Sequence, residues 1–417
     1  MSGGPGLPVL VLNAGSSSLK FGLYQVDAES CRILVSGMAE TAGDRDKASS
    51  AHDAAGNALD WEAGPVATPE VAVARIAELL AKQGLPAPRA VGHRIVHGGP
   101  LCRRHALIDA TVLQHLQAAK VFAPLHVPPA LALVLAAQAR FPGIPQSACL
   151  DTAFHANLPD IARTLPIPRE LRARGIERYG FHGLSYESIV RQLGKHLPPR
   201  LVIAHLGNGA SVTAVANGHS IDTSMGLTPT GGVIMSTRCG DLDPGVLSYV
   251  VRELDYDAAQ LEALIDQQSG LRGISGISGD MRELRAAAAS NDDARLAIAM
   301  FCYSVRKQIA AMAVVLGGVD LLVFTGGIGE NDATTRASIC EGLDALGIPA
   351  IPVLAGQGDP SAQQASTGSA DRHGSRGAAR VMPSQEGEQI ARHTWRLVTQ
   401  PSRVQAMAVA TQRTPPT

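Results

Sequence analysis

Neither sign of charge predominates in this sequence, which has 36 lysine and arginine residues against 37 aspartate and glutamate residues and a formal net charge of -1. A chain so balanced has no overall attraction for nucleic acid or for an anionic membrane. Any site for an anion must therefore be built from local geometry. The balance favours a small-molecule partner and predicts that the protein binds no nucleic acid.

The sequence also lacks paired cysteines and long uninterrupted apolar runs. Its six cysteines are scattered without a CxxC pair, which is typical of reduced thiols rather than of disulfides or a zinc site.

No basic region precedes an apolar one at the N-terminus, so we expect no signal peptide. Residues 127–137 are too few for a membrane span of about 20 residues, and residues 309–328 are interrupted by Gly317-Gly318 and Asp320. We therefore expect a cytoplasmic protein with no membrane partner, and we interpret 309–328 as a buried helix followed by a strand.

Apolar runs rich in valine, isoleucine and leucine alternate with alanine-rich helical stretches. The strand-like runs include residues 90–96, 201–205 and 321–325, and the helical stretches include residues 71–83 and 292–316. Such alternation predicts an α/β protein with largely parallel sheets, and a chain of this length predicts two domains at about 100–200 residues each. Because residues 201–225 repeat the N-terminal order of strand, small-residue turn and strand, we expect a distant internal duplication.

Three turns of small residues each follow an apolar strand: NAGSSSLK at 13–20, HLGNGAS at 205–211 and FTGGIGEN at 324–331. Such turns expose successive backbone N–H groups, and serine hydroxyls add donors, so they suit a phosphate at the usual ligand position of α/β proteins. Neither a P-loop nor the protein kinase signatures occur. The S-x-x-K of residues 17–20 also matches serine acyl enzymes, but that motif needs a helix start, whereas Lys20 enters a β-rich run and the SDN and KTG partners are absent.

Four charged or polar residues stand in small-residue surroundings. Arg94 and Arg238 have the planar guanidinium that grips a carboxylate or phosphate with two hydrogen bonds. Asp151 can hold hydrated Mg²⁺, and His182 can donate a hydrogen bond to charge that develops on a transferred group. A buried structural role remains open for each of them, and Arg238 has aspartates close by in the sequence with which it can pair.

With these motifs in place, the chain resembles the acetate kinase family, the short-chain acyl kinases of the sugar kinase, Hsp70 and actin superfamily. NAGSSSLK matches the N-terminal signature, and HRIVHGG, APLH, DTAFH, YGFHGLSY, HLGNG, MGLTP, TRCGDLDPG, SGISGDMR and FTGGIGEN follow in the family order over about residues 9–391. The resemblance implies two actin-like ATPase (ribonuclease H-like) domains with an interdomain cleft. It also implies an N-terminal acyl kinase domain of residues 1–150 completed by 383–400, a C-terminal nucleotide-binding domain of residues 151–382 and a loose tail at 401–417.

The resemblance further implies ATP-dependent phosphorylation of acetate to acetyl phosphate and ADP by direct in-line transfer, with Mg²⁺ (Mn²⁺ as an alternative) and a homodimer. By position, the catalytic residues are Arg94, Asp151, His182 and Arg238, and the acetate site consists of Arg94, Val96, Leu125, His126, Phe181 and Pro229. The ATP site comprises Asn13, Ser16, Ser18, Lys20, His205, Gly207, Asn208, Gly209, Gly327, Ile328 and Asn331. The metal ligands are Asn13, Asp151 and Glu386.

The chain departs from the family pattern near this site. PLHVP has Val127 where the family has asparagine, TPTGG contains Thr230-Gly231, and STRCG contains Ser236 and Cys239. SQEG at residues 384–387 keeps the carboxylate of Glu386. We expect these departures to bear on acyl preference and rate, while residues 355–380, rich in small polar residues, suggest no role.

Two other functions remain open. A propionate or butyrate kinase of the same family is the nearer one, because one methylene in an apolar pocket is worth only about 1–3 kcal/mol. A non-enzymatic nucleotide switch of the same superfamily is the farther one. Retention of Arg94, His182 and Arg238 disfavours the switch, which has no evident need for a carboxylate clamp.

Overall fold

The computed structural model describes residues 6–15, 18–40, 49–61, 67–348 and 378–400. The predicted tail at 401–417 and most of the 355–380 segment lie outside these residues. The chain divides into two compact units: the first is Met1–Ala153 with Gln385–Thr417, and the second is Phe154–Ser384.

The first unit is built on a seven-stranded mixed sheet with the order β4-β3-β2-β1-β5-β7-β6. Its strands are β1 (Leu7–Ala14), β2 (Ser18–Val26), β3 (Cys31–Glu40), β4 (Ser50–Asp53), β5 (Ala90–Ile95), β6 (Ala106–Leu107) and β7 (Gln146–Leu150). Its helices are α1 (Pro69–Lys82), α2 (Ala110–Ala118), α3 (Val127–Arg140) and α14 (Glu386–Thr399). Strands β1, β5 and β7 are parallel, so their carboxyl ends meet at one edge of the sheet.

The first unit's helices form where the sequence supplies both a start signal and an apolar stripe. In α1, the Thr68 side chain accepts a hydrogen bond from Val71 N and Pro69 occupies the first turn, which together cap the helix. Its buried residues recur every three or four positions and pack with β1 and β2 in one apolar cluster. The hydrophobic effect thereby fixes this helix against the sheet.

The C-terminal helix α14 belongs to the first unit and packs on β1, β2, β5 and β7. Ile390 is fully buried there, and Thr394 Oγ1 lies 2.8 Å from Ser147 Oγ of β7. A Cβ at Gly92 of β5 would lie 2.6 Å from Ile390 Cγ2, so the glycine permits this close approach. The last helix thus completes the first sheet, with Glu386 as its first residue.

The second unit is built on a five-stranded sheet with the order β10-β9-β8-β11-β12. Its strands are β8 (Arg200–Leu206), β9 (Ala210–Ala216), β10 (His219–Thr223), β11 (Leu321–Thr325) and β12 (Ala378–Val381). Its helices are α4 (Asp160–Arg163), α5 (Arg169–Arg172), α6 (Gly183–Leu193), α7 (Pro244–Glu253), α8 (Ala258–Ala263), α9 (Gly270–Ser275), α10 (Met281–Ala287), α11 (Asp292–Val315), α12 (Gly326–Asn331) and α13 (Ala333–Cys340). Short 3₁₀ turns occupy Ala119–Phe122, Ala153–His155, Gly194–His196 and Asp344–Leu346, and Leu264–Gln268 is a π-helical turn.

Helix α11 is the one helix, among those described, that is long and apolar enough to cross a membrane by length and composition alone. It packs within the second unit against α9, α10, α13 and β9, and Phe301, Val305 and Ile309 are buried. The helix ends at Val315 and β11 begins at Leu321. The interpretation of residues 309–328 as a helix followed by a strand is confirmed, but the helix is buried on one face only, since Val314 and Val315 are 73% and 49% exposed.

The two sheets share one topology. In the first, β3-β2-β1 are antiparallel neighbours and β1-β5-β7 are parallel. In the second, β10-β9-β8 are antiparallel and β8-β11-β12 are parallel. This shared order is what the predicted internal duplication requires, and in each unit it gathers the carboxyl ends of parallel strands, where α/β proteins bind their ligands.

Candidate active site

Three parallel strands of the first unit end in polar side chains that contact one another. Asp151 follows β7 directly, and its Oδ2 accepts two hydrogen bonds from Arg94 of β5, one from Nε at 2.9 Å and one from Nη2 at 2.6 Å. Arg94 Nη1 donates to Asn13 Oδ1 of β1 at 3.3 Å, and Asn13 Nδ2 donates to Glu386 Oε2 at 3.0 Å. The structure therefore joins four predicted site residues from four separate stretches of the chain.

Asp151 is the most deeply buried member of this group, with 1% of its surface exposed. Burial raises the pKa of its carboxyl group to about 6; Arg94 opposes that shift, and the charge of Glu386 adds to it. Burial lowers the pKa of Arg94, but Asp151 and Glu386 outweigh it and hold the guanidinium charged. Each charge is thus tolerated because the other is present.

The same group has the donor set of a magnesium site. Asp151 Oδ1 is buried and has no hydrogen-bond partner among the described residues, although an unpaired buried oxygen is costly. Glu386 supplies a second carboxylate, held through its bond to Asn13. One or two carboxylates with several waters are what Mg²⁺ usually takes from a protein, so the residues present fit this ion.

Two stacked histidines mark the corresponding place in the second unit. The rings of His182 and His205 lie 4.2 Å apart between centroids, with an angle of 20° between their planes. His182 precedes α6 in the left-handed backbone region (φ 58°, ψ 22°), which few residues other than glycine adopt. Such strain is usually held at functional positions, and here it orients the His182 ring.

The turn between β8 and β9 lies next to these rings and next to Arg238. A Cβ at Gly209 would lie 3.1 Å from His182 Nε2 and 3.3 Å from Arg238 Nη1. Asn208 O accepts from Ser236 N at 3.2 Å, which ties the turn to the loop of Arg238. Two nitrogen-bearing side chains therefore converge over a glycine, whose missing Cβ permits their close approach to the turn.

The third small-residue turn lies beside the second. Gly327, Ile328 and Asn331 are three of the six residues of the short helix α12, which follows β11. A Cβ at Gly207 would lie 3.8 Å from Gly327 N, so the two turns are neighbours, as the parallel pairing of β8 and β11 requires. The predicted second phosphate turn and the predicted adenosine motif thus share one edge of the second sheet.

The remaining predicted residues are placed as follows. In the first unit, Lys20 lies opposite Asn13 in the β1–β2 hairpin, whose turn is closed by a bond of 2.8 Å from Gly15 N to Ser18 O. Ser16 lies outside the described residues. Among the residues expected at the acetate methyl, Val96 is buried, Leu125 is 48% exposed and His126 is half-buried in the first unit, and Phe181 and Pro229 are buried in the second.

The departures from the family pattern have structural partners. Val127 is fully buried at the start of α3, in an apolar cluster with Ile95 and Leu116. Thr230 donates to Asp266 Oδ1, and Ser236 Oγ donates to Gly279 O at 2.8 Å. These side chains hold the site's loops and core in place.

Sequence reasoning missed the hydroxyl groups around the histidines. Ser211 Oγ lies 2.9 Å from His182 Nδ1 and also hydrogen-bonds Tyr186 Oη, while Ser185 Oγ lies 2.8 Å from His205 Nδ1. A signal was present, because Ser185 and Tyr186 belong to YGFHGLSY and Ser211 ends HLGNGAS. The pattern shows hydroxyls near the histidines but cannot show which ring nitrogen they face.

The family model, the similar sequence and the similar solved structures below all belong to acetate or propionate kinases. The model of the acetokinase family matches residues 8–392. Acetate kinase 2 of Neisseria meningitidis serogroup B is 44% identical over 348 residues, 82% of this chain and 86% of that protein. The crystal structure of acetate kinase from Porphyromonas gingivalis has a TM-score of 0.78 at 33% identity, covering 94% of this chain and 100% of its own. A propionate kinase from Francisella tularensis has a TM-score of 0.80 at 34% identity, covering 93% and 99%.

Proposed function

This chain belongs to the acetokinase family, with the actin-like ATPase fold and the function of an acetate kinase, and from that premise we propose how its residues phosphorylate acetate from ATP. The observation that carries the proposal is the convergence of His182 Nε2 and Arg238 Nη1 over Gly209. In the transition state of phosphoryl transfer, negative charge is spread over the oxygens of the transferred group. Hydrogen-bond donors and cations already positioned next to those oxygens lower the barrier. His182 and Arg238 meet this requirement.

Arg94 binds the carboxylate of acetate in this proposal, and Asp151 keeps the guanidinium in place through its two hydrogen bonds. A carboxylate is already an adequate nucleophile for phosphorus. The protein therefore needs no strong general base, and its contribution is in-line positioning and charge neutralisation. The residues assigned to the methyl group of acetate are Val96, Leu125 and His126 in the first unit and Phe181 and Pro229 in the second.

The turns hold the nucleotide. In the first unit Asn13, Ser16, Ser18 and Lys20 form one phosphate loop; in the second, His205, Gly207, Asn208 and Gly209 form the other, and Gly327, Ile328 and Asn331 bind adenosine. Asp151 and Glu386, with Asn13, hold Mg²⁺. When bound, this ion neutralises charge on the phosphate oxygens. The acyl kinase domain in this proposal consists of residues 1–150 with 383–400. The nucleotide-binding domain consists of residues 151–382.

We also propose a cytoplasmic homodimer. All six cysteines are free, as expected in a reducing compartment. Two rows of exposed apolar side chains lie on the second unit: Leu242, Val246 and Tyr249 at and before α7, and Leu296, Met300 and Tyr303 along α11. We take these two rows together as the apolar face of the proposed interface. Gln308 of α11 donates to Asp241, next to Leu242, which brings α11 close to the start of α7. Apolar side chains exposed together at this density are typical of an interface between subunits.

One observation favours a second substrate, namely the likeness to the Francisella tularensis propionate kinase. Comparing kcat/KM for acetate, propionate and butyrate decides between them. A clear preference for a longer acid would replace acetate as the substrate.

The proposal is tested by acyl phosphate formation from acetate and Mg-ATP, trapped with hydroxylamine. We expect activity in the wild type and a loss of about 10²–10³-fold or more in Arg94→Ala and in Arg238→Ala. Arg252→Ala is the matched control, since that arginine is exposed, lies outside the family motifs and pairs with Glu253 at the surface. Equal activity in all three variants would overturn the assignment of both arginines.

A further inference from the structure

Two buried hydroxyl groups lie on the Nδ1 side of His182. Ser211 Oγ lies 2.9 Å from His182 Nδ1 and hydrogen-bonds Tyr186 Oη on its other side. Both Ser211 and Tyr186 are fully buried. Tyr186 is one turn after His182 on α6, and Ser211 is the second residue of β9, so regular elements fix the positions of both hydroxyls.

The protons available in this chain of groups restrict the imidazole. A neutral imidazole has one N–H and one acceptor nitrogen, and a serine hydroxyl has one proton to donate. A serine oxygen has two lone pairs, so three orders are possible: Tyr186 donates to Ser211 and Ser211 to Nδ1; Nδ1 donates to Ser211 and Ser211 to Tyr186; or Ser211 accepts from both groups. The first order puts the imidazole proton on Nε2, and the other two leave Nε2 unprotonated. A phenol is more acidic than an aliphatic alcohol and is the better donor, which disfavours the second order. In the third order the proton of the buried Ser211 is turned away from both groups, so the first order is favoured.

The surroundings of Nε2 favour the same order. Nε2 and Arg238 Nη1 face the same space over Gly209, at 3.1 and 3.3 Å from a Cβ built there. A guanidinium attracts anionic oxygens to that space. An unprotonated Nε2 would turn a lone pair toward those oxygens, whereas an Nε2–H group donates to them.

The neighbouring histidine has the same construction. Ser384 Oγ donates to Ser185 Oγ at 3.0 Å, and Ser185 Oγ lies 2.8 Å from His205 Nδ1. Because Ser185 accepts from Ser384, its own proton is available to Nδ1, which leaves the proton of His205 on Nε2. Two stacked rings thus each have a pair of hydroxyls on the Nδ1 side.

We infer that Ser211 and Tyr186 are positioning residues that hold His182 in the tautomer with its proton on Nε2. The inference rests on the proposed function, since it explains how His182 becomes a hydrogen-bond donor to the transferred phosphoryl group. Neither residue touches the substrates; both act through the imidazole. Ser211 supplies the bond to Nδ1, and Tyr186 sets the direction of that bond.

The tautomer can be measured directly. Full-length protein labelled with ¹⁵N in its histidine rings gives two-bond ¹H–¹⁵N correlations that distinguish the two neutral forms, and His182→Gln identifies the signals of His182. We expect the Nε2–H pattern in the wild type and a partial shift toward the Nδ1–H pattern in Tyr186→Phe, where Ser211 no longer accepts from the phenol and can accept from Nδ1 instead. In Ser211→Ala the pattern should become a mixture of tautomers. An Nδ1–H pattern in the wild type would overturn the inference.

Kinetics provide the second readout. We expect Ser211→Ala to lower kcat about tenfold or more with KM for acetate and ATP nearly unchanged, because the lost interaction belongs to the transition state. Ser188→Ala is the matched control, since it removes another buried hydroxyl of α6 whose Oγ donates to a backbone carbonyl, Ser185 O, at 2.7 Å. Ser188→Ala should leave kcat and the ring ¹⁵N signals of His182 unchanged.

These experiments distinguish a failure of the proposed function from a failure of the inference about the His182 tautomer. If the wild type forms no acyl phosphate, the proposed function fails, while the ring spectra still test the tautomer. If the wild type is active and Ser211→Ala matches it in spectrum and in kcat, the function stands and this inference is overturned.

Discussion

Gly209 shows how one missing side chain makes room for chemistry. Its neighbours His182 Nε2 and Arg238 Nη1 would both lie within 3.4 Å of a Cβ at this position, closer than most real contacts allow. A methyl group at this position would press on both nitrogens and move them from the places where they can contact a phosphoryl oxygen.

We therefore expect Gly209→Ala to lower kcat about a hundredfold or more, because the methyl group moves the two donors away from the transferred group. Steady-state kinetics measures the loss, and thermal unfolding should change little because the turn is partly exposed. Gly226→Ala is the control, since a Cβ at Gly226 would have no atom within 4 Å. Equal losses in both variants would contradict this explanation.

His155 illustrates a buried histidine with a structural role. Its Nε2 lies 3.0 Å from Phe181 O and its Nδ1 lies 2.7 Å from Ser220 Oγ, so the neutral ring is fully bonded. Burial lowers the pKa of His155 to about 4, although the bond to Phe181 and the charge of Glu187 oppose this. Phe181, expected at the acetate methyl, is thereby held by its backbone.

The sign of the pH effect follows from that lowered pKa. Between pH 6.5 and 4 the unfolded chain binds a proton at this histidine and the folded chain does not, so the free energy of unfolding falls as the pH falls. The loss at this one residue reaches about 3 kcal/mol by pH 4. Urea unfolding at several pH values measures how the free energy of unfolding changes with pH. Between pH 6.5 and 4 we expect His155→Gln to take up about one proton fewer on unfolding than the wild type, so its free energy of unfolding should depend less on pH. An equal pH dependence in both proteins would contradict the prediction.

At the scale of elements, α14 connects the end of the chain to the candidate magnesium site. Glu386 begins the helix, and Ile390 and Thr394 follow on the face that packs against β5 and β7. Glu386 can reach Asn13 only if this face is docked. Packing on the sheet and assembly of the carboxylates are therefore one event.

Ile390→Ala should weaken that docking, because it removes fully buried methyl groups at a cost of about 2–4 kcal/mol. We expect faster hydrogen exchange of the α14 amides and a higher Mg²⁺ requirement for activity. Arg396→Ala on the same helix is the control and should change neither. If exchange rises without any change in the Mg²⁺ requirement, α14 does not carry a metal ligand.

At the scale of the molecule, the two units repeat one sheet topology with different residues at the parallel strand ends. The first unit places carboxylates and an arginine there, and the second places histidines, an arginine and glycine turns. In our proposal the same architecture therefore serves acyl and metal binding in one unit and phosphate binding in the other.

The apolar face of the second unit should mediate the dimer. Tyr249 and Tyr303 are 54% and 58% exposed, and we expect Tyr249→Glu with Tyr303→Glu to give monomers, because two buried unpaired charges would be costly at an interface. Analytical ultracentrifugation measures the change. Ile161→Glu, on the very exposed helix α4, should leave the dimer intact. A dimer that survives the tyrosine substitutions must use another surface.

Much of the site could be predicted from the sequence, because its motifs are local. The glycine turns after β1, β8 and β11 stand where the apolar runs end, so their places at the sheet edges follow from the pattern alone. Arg94 and Asp151 could likewise be placed at strand ends. Their mutual bond could not, since it joins residues of different strands.

The sequence by itself determined the alternation of strands and helices, the turns suited to phosphate and the residue types at the site, because these depend on periodicity and on local backbone geometry. Only the tertiary structure decided which nitrogen of His182 faces Ser211, how deeply Asp151 is buried and which face of α14 packs on the first sheet. Hydrogen-bond direction, desolvation and long-range docking all depend on atoms that are distant in the chain and meet only when it folds.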